Sequence, residues 1–114
     1  MEHAVRPADL KERIDRGTAP PVLDVRRAAD FDADTGGIPG ALRGDPERLD
    51  AWSAALDPAA PVVVYCARGG SVSRGVAEAL RARGFDARYL SGGIAAWRDA
   101  GFETSPKPAS GNQA

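Results

Sequence analysis

The sequence predicts an α/β domain, a mostly parallel sheet with helices on both faces. Three observations carry that prediction. Short apolar runs alternate along the chain with patterns of helical period. The strongest run, Ala60 to Cys66 (APVVVYC), is almost wholly apolar and rich in β-branched residues, as a central parallel strand buried on both faces must be. Glycine and proline punctuate the joins, and no internal repeat interrupts the order.

Each element follows from its residues. In residues 6–17 (RPADLKERIDRG), Leu10 and Ile14 fall four apart and Gly17 stops the helix. Residues 20–25 (PPVLDV) read as a short buried strand after a proline pair, and RRAADF as one or two helical turns. Residues 32–41 (DADTGGIPGA) hold too many breakers to be anything but a loop, and ALR after them is a minimal strand. Residues 45–57 (DPERLDAWSAALD) place Pro46 at a helix start, with Leu49, Trp52 and Leu56 on one face. After the central strand, residues 72–84 carry Val72, Val76 and Leu80 on one helical stripe, with Gly84 as the stop. DARYL is a strand, and GGIAAWRDAG a closing helix with Ile94 and Trp97 facing the core.

Composition bounds the rest. A chain of 114 residues, 43% of them hydrophobic, makes one domain with a small core. That domain is expected over residues 1–103. The Pro/Ser/Gly-rich stretch 104–114 is expected to be a disordered tail. Fifteen basic and sixteen acidic residues leave a net charge of −1, so nothing points to nucleic acid or to a membrane surface as partner. No apolar run is long enough to span a bilayer. The opening MEHAVRPADLKERIDRG has no apolar signal core, and the expected location is cytoplasmic. A single cysteine excludes an internal disulfide and a cysteine zinc cluster, and no metal or cofactor is expected. The only histidine, His3, falls on a terminus expected to be mobile, which leaves no Cys–His pair.

The one thiol stands where such a sheet binds ligands, beyond the carboxyl end of its strongest strand. Cys66 is followed by Ala67, Arg68, Gly69, Gly70, Ser71 and Val72, and then by a helix. The unpaired N–H groups of a helix start point back toward the preceding loop, and glycines let successive amides turn inward as a nest. A helix N-terminus also favours the reactive thiolate. The loop therefore reads as an anion cradle with a nucleophilic sulfur at its floor. Ser71 or Ser73 could cap the helix, and Arg68 either adds a positive charge at the rim or is a solvated loop charge. An inert buried cysteine is the competing reading; it gives no use for a glycine-rich turn into a helix.

At these residues the sequence resembles the rhodanese family, in its single-domain sulfurtransferase form. The likeness covers Arg6 to Phe102. VLDVR (Val22 to Arg26) resembles the family's first-strand motif, GGIPGA (Gly36 to Ala41) its HIPGA box with Gly37 in the histidine's place, VVVYCARGGS its catalytic strand and loop, and YLSGGIAAWRDAGF its C-terminal box. The resemblance implies a five-stranded parallel sheet. It implies that Cys66 carries a sulfane sulfur as a persulfide, taken from a small anionic donor such as thiosulfate and passed to a thiol, to cyanide or to a protein acceptor. The amides of Ala67 to Val72 would hold donor and product. The loop from Cys66 to Val72 has seven residues where the family usually has six, and seven resembles the loops of the cell-cycle phosphatases and related arsenate reductases. Those loops end in arginine, where this one has Val72. An oxyanion enzyme, or a non-catalytic binding or sensing module, therefore stand as the alternatives. Asp24 and Arg26 read as a charge pair tying loops together rather than as substrate contacts.

Overall fold

A computed structural model of the chain describes residues 3–107. Five strands form one all-parallel sheet: β1 (Ala4–Val5), β2 (Val22–Asp24), β4 (Leu42–Arg43), β5 (Pro61–Tyr65) and β6 (Asp86–Leu90), in the spatial order β1-β6-β5-β2-β4. The helices are α1 (Pro7–Asp15), α2 (Ala28–Ala33), α3 (Leu49–Ser53), α4 (Ser71–Ala82) and α5 (Gly93–Asp99), with a 3-10 turn at Pro46–Arg48 ahead of α3. None of them is long and apolar enough to cross a membrane.

Strand alternation builds a core on each side of the sheet. Val63 and Tyr65 of β5 join Leu10 of α1 and Ile94 and Trp97 of α5 on one face. Val62 and Val64 join Val76, Ala77 and Leu80 of α4 on the other, where Leu49 and Trp52 of α3 also pack. The apolar run read as a two-sided strand is apolar because both of its faces are covered.

The strand order also positions the site. From β2 the chain steps outward to β4, returns to β5 at the centre, and continues to β6 on the far side. The order thus reverses between β2 and β5, and ligands gather beyond the carboxyl ends of strands at such a switch point. Cys66 directly follows β5 there.

Several expectations need correction. His3 does not lie on a loose terminus: its carbonyl accepts the Tyr89 N–H at 3.0 Å and extends the β1–β6 edge. The stretch 32–41 is not all loop. Gly36–Gly37 forms β3, paired antiparallel with β7 (Ser105–Pro106). Residues 104–107 are therefore tied down, where composition suggested a tail beginning at 104. Trp97 Nε1 donates to the Glu103 carbonyl at 2.8 Å, and Lys107 Nζ to the Phe31 carbonyl at 2.7 Å. Tail residues 108–114 lie outside the described residues. The helix expected over 45–57 is shorter, because Pro46 supports a 3-10 turn and α3 stops at Ser53.

Candidate active site

Below the Cys66 loop, the ends of β2 and β5 are locked by a buried polar network. Arg26 grips the Asp24 carboxylate through Nε at 3.0 Å and Nη2 at 2.6 Å, and both side chains are at most 1% exposed. Arg26 also donates to the Gly36 carbonyl and to Asp34. Tyr65, one residue before the cysteine, donates its hydroxyl to Asp24 Oδ2 at 3.0 Å and accepts the Ile38 N–H at 3.2 Å. Burial, and then the negative charge of Asp24, hold the Tyr65 phenol above its ordinary range, so it stays a neutral donor. Asp24 and Arg26 are thus the structural pair that the sequence suggested. They fix the platform from which the Cys66 loop departs.

The loop itself is held from outside. The Cys66 carbonyl accepts the Ile94 N–H and the Ala67 carbonyl the Ala95 N–H, both at 3.0 Å. Two free donors of α5 are satisfied by the loop, and two loop carbonyls are held against α5. This contact needs glycine on both sides. Gly93 has φ +62°, and a Cβ there would overlap the Cys66 carbonyl oxygen and the Gly69 nitrogen. Gly69, at φ +69°, packs its backbone on Gly92 in the same way. The Gly70 carbonyl accepts the Arg74 N–H at 3.2 Å, and the Gly69 carbonyl accepts Arg74 Nε at 3.3 Å. By contrast, no backbone N–H from Ala67 through Ser73 donates to another group among the described residues. A run of free amide donors therefore follows the strand end, and such a run can bind an anion where it turns inward.

Cys66 is 5% exposed, and its Sγ lies 3.1 Å from Ser73 Oγ, the thiol donating in the neutral form. In the thiolate form the hydroxyl donates instead, adding a side-chain donor to the sulfur. Ser73 is fully buried and does not cap α4. Nor does Ser71: the cap position is Gly70, with no side-chain bond. The helix starts at Ser71, one residue before the expected stripe, and Val72 is only half-buried. Arg68 is exposed. Arg74 is turned away, its guanidinium 5.2 Å from the centre of the Tyr89 ring. Of the expected loop residues, Ala67 to Gly70 lie between β5 and α4, and Ser71 and Val72 form the first turn of α4. The Ser73–sulfur contact was missed as part of the site; Gly92 and Gly93 read from the sequence as a tight turn near the active-site face, but their contact with the loop was not foreseen. Neither contact has a local signal, since one crosses a helical turn and the other crosses to a different element.

Two surface grooves lie elsewhere. One of about 220 Å³ sits at the opposite strand ends near Pro61 and Asp86, and one of about 420 Å³ lies beside Trp97 and Phe102. Neither includes a residue of the Cys66 loop.

The geometry finds its counterpart among known proteins. The rhodanese-like domain model matches residues 6–100. The chain belongs to the rhodanese-like domain family. Among solved structures it is similar to a rhodanese-related protein from Thermoplasma volcanium, at 27% identity and TM-score 0.77 over 91% of this chain and 98% of that one. It is similar to a rhodanese-like domain protein from Staphylococcus aureus, at 26% identity and TM-score 0.77 over 94% and 99%. A protein from Rhodopseudomonas palustris described as of unknown function and a possible tyrosine phosphatase is similar at 26% identity and TM-score 0.77, over 91% and 85%. No curated protein matches the chain. Membership explains why a five-stranded sheet of this order carries a rhodanese-like loop at the end of its central strand.

Proposed function

We propose that this rhodanese-like domain is a sulfurtransferase that carries a sulfane sulfur on Cys66. The observation that supports the reading best is the run of unpartnered amides, Ala67 to Ser73, around a thiol whose Sγ also meets a buried hydroxyl. In the first step the Cys66 thiolate attacks the outer sulfur of thiosulfate. A new S–S bond forms to Cys66, the bond to the inner sulfur breaks, and sulfite leaves with that electron pair. In the second step a thiolate or cyanide attacks the outer persulfide sulfur, and the Cys66 thiolate departs. Both states are anions, and amides fixed in advance stabilise each without reorganising. With an ionised thiol no general base is needed, so the lack of a histidine near Cys66 is no obstacle. Arg68, exposed on the loop, draws in the anionic donor, and a small or protein-borne thiol is the acceptor. A free catalytic thiol suits the reducing conditions of the cytoplasm.

The oxyanion reading has one support, the seven-residue loop together with the neighbour described as a possible phosphatase. Phosphoryl transfer needs a cation against a dianion. Val72 supplies none, Arg74 is engaged with Tyr89 and the Gly69 carbonyl, and Arg68 is an exposed side chain rather than the loop-terminal arginine of the phosphatase loops. Sulfur transfer is therefore the stronger reading. Intact mass after thiosulfate treatment tests it. One added sulfur atom on the wild type, removed by reductant or cyanide and absent from Cys66→Ser, is the expected result. A wild type that gains no sulfur from any sulfane donor, or one that hydrolyses an aryl phosphate efficiently through Cys66, would reverse the ranking.

A further inference from the structure

We propose that Arg74 is a positioning residue that keeps the Cys66 cradle a ring of donors, by holding the Gly69 carbonyl on its outer side. The inference rests on the reading of Cys66 as an anionic nucleophile. It starts from how the loop's peptide groups are held. In a trans peptide the N–H points opposite to the C=O. Fixing a carbonyl outward therefore fixes the next residue's N–H inward. The Cys66 and Ala67 carbonyls are held by the Ile94 and Ala95 amides, and the Gly70 carbonyl by the Arg74 amide. All three holders are backbone groups, which no substitution removes short of proline. The Gly69 carbonyl is different: its partner is a side chain, Arg74 Nε at 3.3 Å.

That peptide is also little hindered on its Gly70 side. It joins Gly69 to Gly70, so no Cβ on either side resists rotation. Gly70 has open space around it, with nothing within 4 Å of where a Cβ would sit. If the unit flips, the Gly70 N–H leaves the cradle and the Gly69 carbonyl oxygen takes its place. An acceptor dipole then faces the sulfur anion, and the stabilisation changes sign locally. Arg74 is well placed to prevent this. Its guanidinium lies over the Tyr89 ring at 5.2 Å, a cation–π contact that limits the swing of the side chain and aims Nε at the carbonyl. Tyr89 itself is fixed in β6, opposite Val64 of the central strand. The loop is thus tied, through Arg74, to the neighbouring strand of the sheet. The same arrangement explains why an arginine near the loop does not serve as an anion-binding charge: its role is spent on the outer side.

The test separates the donor from the charge. Arg74→Gln places a neutral N–H at the chain position of Nε, and Arg74→Met keeps the length without donor or charge. The readout is alkylation of Cys66 by iodoacetamide at about pH 6, where the thiolate is the reacting species; as the only cysteine it needs no background correction. Arg74→Met should react roughly tenfold more slowly than wild type, the effect of one hydrogen bond to a charged group. Arg74→Gln should stay close to wild type. Tyr89→Leu, which leaves the charge and removes its platform, should slow alkylation by a smaller factor, and it is the variant to read if Arg74→Met melts early. Thermal melts of each variant report on folding. Equal slowing in the Gln and Met variants would make the effect one of charge alone and overturn the proposal, as would a Met variant as fast as wild type. Alkylation uses no sulfur donor. A wild type that fails to load sulfur while Arg74→Met still slows would sink the sulfurtransferase reading and leave this one standing.

Discussion

Gly93 shows how much of the site rests on single atoms. At φ +62° it lies in the left-handed region, and the space a Cβ needs is filled by backbone atoms of Cys66, Ala67 and Gly69. Those atoms cannot rotate aside, because they are the loop. Gly93→Ala should therefore destabilise the fold by more than about 3 kcal/mol, combining backbone strain with overlap. Gly75, mid-way along α4, is the control: a Cβ there meets nothing within 4 Å. Gly75→Ala should stabilise by about 0.5–1 kcal/mol, the ordinary helical gain over glycine. Urea unfolding of the two variants side by side checks both signs. A Gly93→Ala protein as stable as wild type would mean that α5 can back away from the loop, and the tight support drawn above would be wrong.

At the scale of elements, Asp34 joins three parts of the chain that the sheet does not. At the end of α2 its carboxylate accepts Arg98 of α5 at 2.7 and 2.9 Å, Arg26 beyond β2 at 3.1 Å, and the Gly36 N–H of β3 at 2.9 Å. The hydrogen bonds from Arg98 are the chief reason that its carboxyl is held well below the usual range, with the Gly36 amide and the two positive charges adding to the effect. A depressed carboxylate stabilises the fold above its unfolded pKa of about 3.9, and that contribution fades as pH falls through the folded value. Asp34→Asn should thus lose on the order of 1 kcal/mol at neutral pH, a modest figure because the group is a quarter exposed. The gap between wild type and variant should close as the acid limb below about pH 4 is entered. Stability curves of both proteins against pH would show it. A gap that stays constant across that range would assign the loss to packing and not to the ionised carboxylate.

The molecule as a whole is two small cores on one parallel sheet, with its reactive end left open. The free amides that follow Cys66 are donors with no partner among the described residues. An anion that fills the cradle binds the folded state and has no such partners in the unfolded chain, so loading should stabilise the fold. Conversion of Cys66 to its persulfide should raise the melting temperature by roughly 4 °C, the shift that about one net hydrogen bond gives in a domain of this size. Differential scanning before and after thiosulfate treatment, with Cys66→Ser as the unloaded reference, makes the comparison. A melting temperature that falls on loading would place the sulfur outside the amide ring.

By itself the sequence determined the elements whose signals are local. The continuous run Val62 to Tyr65 could only be a doubly buried strand, and the stripe of Val76 and Leu80 stopped by Gly84 could only be the helix after it. Those two elements put Cys66 at the strand end and amide donors before it, and the four ordered motifs were enough to suggest the family. Tertiary structure decided everything that depends on distant partners. The two-residue strands β1, β3 and β7 have no period to read; β1 exists only because β6 offers it hydrogen bonds, and β3 and β7 only because they pair with each other. Ser73 turned from a candidate helix cap to a sulfur contact because α4 begins at Ser71, which puts Ser73 inside the first turn with its hydroxyl 3.1 Å from Sγ. The loop carbonyls are held by α5 and by Arg74, groups 4 to 28 residues away along the chain. Local periodicity can name a strand and a helix, but the polarity of a cradle is fixed by whichever donors reach its outer side, and that is a property of the assembled sheet.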